Sequence, residues 1–183
     1  MAFSAVLDAN VLYPFSLRDT LLRLAELELF TALWSTRILE EMRRNLVEHR
    51  ITAEQADRIE EAMRQAFEEA EVDPDEIERL EPAMTNDTKD RHVLAAAVAA
   101  DSELIVTFDL DDFPVAACEP VGVEAIHPDQ FLLDLHDLDP EAVRAALEQQ
   151  AADLNPPWPL DELLRALTKA GAPRFAETVR TRR

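Results

Sequence analysis

Glycine and cysteine are almost missing from this chain. Gly122 and Gly171 are the only glycines in 183 residues. No glycine-rich loop can therefore cradle a phosphate, which excludes a P-loop and a dinucleotide fingerprint. The single Cys118 cannot form an internal disulfide, fits a reducing compartment, and is expected to serve packing rather than catalysis. The opening apolar run is too short for a signal peptide and lacks a basic start, and no run approaches a membrane span, so a soluble, cytoplasmic protein with no membrane role is expected. Basic charge is scarce as well, with 18 Lys and Arg against 38 Asp and Glu and a net charge of −20. Such a chain as a whole repels phosphate, although residues 169–183 reverse the sign, with five basic residues against Glu177.

What is present is enough apolar material for one well-filled domain, 48% of residues, and an order to it. Phe3 to Leu7 is a short apolar run ending at Asp8, which reads as a strand buried on both faces with a carboxylate at its C-terminal end. Helical spacing follows from Ser16 to Leu29, then a strand from Phe30 to Trp34, a helix capped by Ser35 or Thr36 and running to about His49, and a charged surface helix from Ala53 to about Ala70 capped by Thr52. Asp73 to Thr85 reads as a looser acidic stretch. A helix over Thr88 to Ala100, a strand over Glu103 to Phe108 and a short strand over Gly122 to Ile126 complete an alternating α/β pattern with a central parallel sheet flanked by helices. Beyond Pro128 the pattern turns helical, over 131–135, 140–154 and 160–169, with Asn155 to Pro159 as a stiff hinge. The expected division is a domain over 1–127 and a helical C-terminal extension over 128–183.

Several acids stand where structure alone gives them little reason to be. Asp8 and Asp109 each end a buried parallel strand, the edge at which open α/β sheets bind ligands, with a cap on the next helix and an Asp-rich turn as their respective structural alternatives. Asp90 falls within the apolar stripe of its helix, alongside Val93, Leu94 and Ala97, with a capping box from Asp87 to Asp90 as the structural alternative. Glu41 borders the face made by Ile38, Leu39, Met42 and Leu46, whereas Glu40 points to solvent. Clustered carboxylates repel unless a cation lies between them, and an all-oxygen donor set suits Mg²⁺ or Mn²⁺ rather than zinc. His49, His92, His127 and His136 show no ligand spacing and are expected at the surface. A phosphatase with an Asp nucleophile would want a second Asp where this chain has Asn10.

Taken in order, Asp8-x-Asn10, Ser35-x-x-Ile38-Leu39-x-Glu41, Asp87-x-x-Asp90 and Ile105-Val106-Thr107-x-Asp109 resemble the PIN domain, and more narrowly the VapC-type ribonuclease toxins of toxin-antitoxin pairs. The resemblance covers about residues 3–126, and the extension is similar to the helical C-terminal part of longer VapC-like proteins. It implies a Rossmann-like fold and a Mg²⁺- or Mn²⁺-dependent endoribonuclease that hydrolyses RNA phosphodiester bonds by metal-activated water. By position, Asp8, Glu41, Asp90 and Asp109 are the catalytic metal-binding residues; Asn10, Thr107, Asp87, Asp111 and Asp112 are accessory. A cognate antitoxin and a homodimer are implied partners. Arg43, Arg44, Lys89 and the basic C-terminus are candidates for RNA contact. The remaining alternatives are a DNA-directed nuclease and a non-catalytic PIN-fold binding protein.

Overall fold

The computed structural model describes residues 3–49 and 51–181. Strand β1 (Ser4–Leu7) buries Ala5, Val6 and Leu7 completely because it has a neighbour on each side. It pairs in parallel with β2 (Thr31–Leu33) and with β3 (Leu104–Val106), which pairs in turn with β4 (Glu124–Ile126). The sheet order is β2-β1-β3-β4. The chain thus builds outward to one side of β1 and then returns to build on the other. The reversal lies between β1 and β3, the place where loops diverge at the C-terminal edge and leave a crevice.

Helices cover the sheet. Asp8 caps the single turn α1 (Ala9–Leu12), its Oδ1 accepting from the Ala9 N–H at 2.7 Å. Helix α2 (Phe15–Glu26) leads to β2, and α3 (Thr36–His49) starts where Ser35 Oγ accepts from the Ile38 N–H. Thr52 and Gln55 form a full capping box on α4 (Ala53–Ala66), which buries only Ala56 and Met63 and so lies on the surface. The stretch expected to be loose is instead helix α5 (Pro74–Leu80) and a tight turn, Glu81–Ala83. Asp73 accepting from the Asp75 N–H, Pro74 at the first turn and buried Ile77 are sufficient start and anchor signals that the surrounding acidity masked.

Helix α6 begins later than its periodicity suggests, at Arg91, and runs to Ala99. Asp87 does not cap it: Oδ1 takes the Lys89 N–H at 3.0 Å in a local turn, and the Asp90 side chain makes no capping bond. The capping-box alternative is therefore not what the fold builds. After the short helix α7 (Val115–Cys118) and β4, four helices close the chain: α8 (Pro128–Leu138), α9 (Pro140–Asp153), α10 (Leu160–Lys169) and α11 (Pro173–Thr181). The last was not foreseen, since its basic sequence hid the buried Phe175, Ala176 and Val179. Leu163, Leu164 and Leu167 turn the apolar face of α10 into the same core as the sheet. Arg182 and Arg183 of the basic terminus lie outside the described residues.

The extension is fastened by buried polar contacts as well. Gln150 reaches Thr20 and the Ser16 carbonyl on α2. Asp129 on α8 accepts the Phe175 N–H at 2.9 Å and the Arg174 N–H at 3.2 Å, capping α11 from another helix. Asp129→Ala leaves two donors unpaired, one of them buried, and should cost about 2 kcal/mol, lowering the melting temperature by about 4–8 °C. A melting curve unchanged from wild type would show that the cap contributes nothing.

Candidate metal centre

Asp8 and Thr107 stand opposite each other one step beyond the pairing of Leu7 with Val106, so the sheet register itself brings their side chains together. Thr107 Oγ1 donates to Asp8 Oδ2 at 2.7 Å. The same oxygen accepts from Asn10 Nδ2 at 3.0 Å and from the Asp109 N–H at 3.1 Å. Asn10 also donates to Asp109 Oδ2 at 3.1 Å and accepts the Phe108 N–H at 3.2 Å. Asp8, Asn10, Thr107 and Asp109 are thus one hydrogen-bonded unit spanning the ends of β1 and β3. Within it, the Thr107 hydroxyl and the Asn10 amide each donate to a carboxylate.

Asp8 is buried and Asp109 exposed. Burial pushes the Asp8 carboxyl above its usual range, against the bonds from Thr107 and Ala9, and the charge of Glu41 adds to the rise. Asp90 enters from the turn before α6 and is pushed up to about 6, first by burial, then by the charges of Asp8 and Asp112, with a lesser push from Asp87. Asp112 is placed there by the Leu110–Asp112 turn, whose end carbonyl accepts the Asp87 N–H at 3.2 Å. Asp111, on the same turn, is exposed.

Glu41 comes from α3 and is half-buried, whereas Glu40 is exposed. Burial raises its carboxyl, but His92, Arg37 and Arg44 outweigh that and hold it below the usual range. His92 was expected at the surface and is not: it is 1% exposed, with Nε2 3.3 Å from Glu41 Oε1. His136 is buried too; His49 is exposed and His127 half-buried. The signal overlooked was the make-up of α6, Arg-His-Val-Leu-Ala-Ala-Ala-Val-Ala, which is apolar all round and so buried on every side, His92 included. His92 Nδ1 has no hydrogen-bond partner among the described residues.

These residues fit a hard divalent cation by chemistry. Asp8, Glu41, Asp90 and Asp109 offer oxygen donors, and the charges of Asp8 and Asp112 add to the rise that burial produces at Asp90. Among the described residues no three Asp, Glu, His or Cys side chains already stand at mutual ligand spacing, so a cation would have to draw the acids inward. His92 then acts as a positioning group for Glu41. His92→Phe should weaken Mn²⁺ binding about 10-fold in calorimetry while the circular dichroism spectrum stays unchanged. Equal affinity would show that Glu41 needs no such support.

The basic candidates divide. Arg43 is paired with Asp57 at 2.5 Å, whereas Arg44 is exposed and close enough to influence Glu41. No helix among the described residues is long and apolar enough to cross a membrane.

Similarity to known proteins covers most of the chain. Residues 128–181 match the VapC50 C-terminal domain. A Mycobacterium tuberculosis protein named "Putative ribonuclease VapC50" is 48% identical over 96 residues, which is 52% of this chain and 56% of that protein. The chain thus spans about half the length of that relative. No solved structure matches significantly. Residues 4–111, the span that carries β1, α3, the Asp90 turn and the end of β3, match the PIN domain, and the chain belongs to the PIN domain family.

Proposed function

We propose that this chain is a VapC-type endoribonuclease dependent on Mg²⁺ or Mn²⁺, with a catalytic unit over residues 1–127 and a helical extension over 128–183. The observation that carries the reading is the convergence of Asp8, Glu41 and Asp90 on the β1/β3 crevice, with Asp109 held at its rim by Asn10. Asp8, Glu41, Asp90 and Asp109 would hold the cation, and Asp112, placed close enough to raise Asp90, is the best of the accessory acids; Asp87 is more distant in effect and Asp111 faces solvent. When bound, such a cation makes a water molecule nucleophilic at neutral pH and neutralises charge on the phosphodiester. The chain's own part is to orient donors and to present them ionised. Thr107 and Asn10 lock Asp8 and Asp109 in place, and Asp90, pushed up to about 6, is ionised near neutral pH against a cost that a bound cation would relieve.

The net charge of −20 suits a basic antitoxin segment as inhibitor, and the reading carries with it a homodimer acting in the cytoplasm. The test is incubation of total cellular RNA with the purified full chain in Mg²⁺, Mn²⁺ or EDTA, beside Asp8→Asn. Discrete fragments that require metal and disappear with Asp8→Asn are the expected result. Cleavage of single-stranded DNA alone would redirect the substrate, and intact RNA together with absent Mn²⁺ binding would leave a binding module.

A further inference from the structure

Between the start of α2 and α10 lies a cleft of about 490 Å³ that the chemistry above does not use. Its walls come from distant parts of the chain. Tyr13 lies in the turn after α1 and Phe15 opens α2, while Trp158 comes from the hinge, Leu163 and Lys169 from α10, and Ala170 from the cap that follows it. Both walls lead back to the site. Helix α1 starts on Asp8 and carries Asn10, and Ala170 adjoins Gly171, where an added Cβ would meet the ring of Phe108, the residue between Thr107 and Asp109.

Three of the chain's eleven aromatic residues meet here, and none is fully buried. Phe15 is 57% exposed, yet it is held in place: the buried Arg18 guanidinium lies 5.8 Å from its ring centroid and donates to the Leu12 and Tyr13 carbonyls at 2.7 and 3.3 Å. A rigidly presented, solvent-facing ring contributes little to the core and is well suited to stacking. Lys169 is exposed at the rim and makes no ion pair among the described residues, despite the acidity of the chain.

We propose that this cleft is a nucleobase subsite, in which an unpaired base of the RNA stacks on Phe15 and Trp158 while Lys169 meets the adjoining phosphate. The inference rests on the nuclease reading and gives the C-terminal extension a direct part in substrate binding. A partner helix inserting apolar side chains would gain nothing from Lys169, and a basic antitoxin segment would be repelled by it. An unpaired nucleotide uses both the rings and the cation.

The test uses the full chain, with Phe15→Ser as the primary variant because the ring is exposed and its loss spares the core, and Trp158→Leu as the second. Steady-state cleavage of a single-stranded oligoribonucleotide in Mn²⁺ should show KM raised about 10-fold in each, with kcat within about twofold of wild type. In EDTA, where no cleavage occurs, the same oligonucleotide should quench tryptophan emission; Trp34 is fully buried, so the signal reports Trp158. An abasic substitution at the engaged position should cost wild type at least that factor and a Phe15→Ser, Trp158→Leu double variant nothing further. Unchanged KM in both variants, or an emission change produced by a basic peptide and not by RNA, overturns the subsite and leaves the nuclease reading standing. Absence of metal-dependent cleavage by wild type overturns that reading and the subsite with it.

Discussion

Asp90→Asn yields a protein that is more stable than wild type without metal and inert with it. The stability gain follows from the push on Asp90 to about 6 from the ordinary 3.8. In the unfolded chain the carboxyl loses its proton near 3.8; in the folded chain it keeps the proton until about 6. Between those values the folded state holds the extra proton, so stability falls as pH rises through the window, and the cost is complete above it. A shift of this size corresponds to about 3 kcal/mol, which solvent screening of the half-exposed group reduces to about 1–2 kcal/mol. The amide variant is free of that cost, so in EDTA near neutral pH its melting temperature should rise by about 2–6 °C. Below about pH 4 the two proteins should melt together.

Activity moves the other way. Loss of one carboxylate from a set of oxygen donors should lower cleavage by about 10²–10³-fold. It should also remove the stabilisation that Mn²⁺ gives wild type, about 2.7 kcal/mol at a hundredfold excess over Kd. The decisive experiment is a set of melts with and without Mn²⁺ across that pH range. A variant that melts below wild type in EDTA at neutral pH would mean that Asp90 is held by favourable contacts and not under electrostatic stress. That opposition between stability and activity is what separates a binding carboxylate from a structural one.

The parts of this arrangement visible in the sequence are those that local pattern controls. Asp8 and Asp109 could be placed because each closes a continuous apolar run, and a buried parallel strand has only its end to offer a carboxylate. That both ends meet at one crevice follows from the strand order, which rests on the alternation of elements. The periodicity places Asp90 on a helical stripe, but the helix begins at Arg91, and Asp90 sits in the turn ahead of it. The 3.6-residue period runs smoothly through that turn and so cannot mark where hydrogen bonding starts. His92 and Phe15 lay beyond such reasoning for a different cause. One is buried by elements distant in the chain, and the other is kept exposed by Arg18, and neither tertiary effect leaves a local trace. The cleft between α10 and the start of α2 was equally illegible, since it depends on how α10 docks.

Gly171→Ala should be the more damaging of the two glycine-to-alanine changes this chain allows. Gly171 follows α10, with its N–H on the Thr168 carbonyl at 3.3 Å and the next N–H, of Ala172, on Leu167 at 2.9 Å. This is the Schellman ending, which needs a left-handed residue, and φ is +99°. An alanine there meets the backbone cost of positive φ, and its Cβ would stand 2.5 Å from Phe108 Cε1, well inside contact distance. Together these should amount to about 2–4 kcal/mol, a fall in melting temperature of about 5–15 °C. Gly122→Ala separates the two causes, since φ is +74° there but nothing lies within 4 Å of the added carbon; it should lose only about 1–2 kcal/mol. The clash reaches the site, because the Phe108 N–H bonds Asn10, which holds Asp109. Displacing Phe108 should therefore weaken Mn²⁺ binding in calorimetry, and Phe108→Leu should restore part of both stability and affinity in the Gly171→Ala background. If Phe108→Leu rescued neither, the ring would not be the obstacle. The tie between extension and catalytic edge would then have to run through another contact.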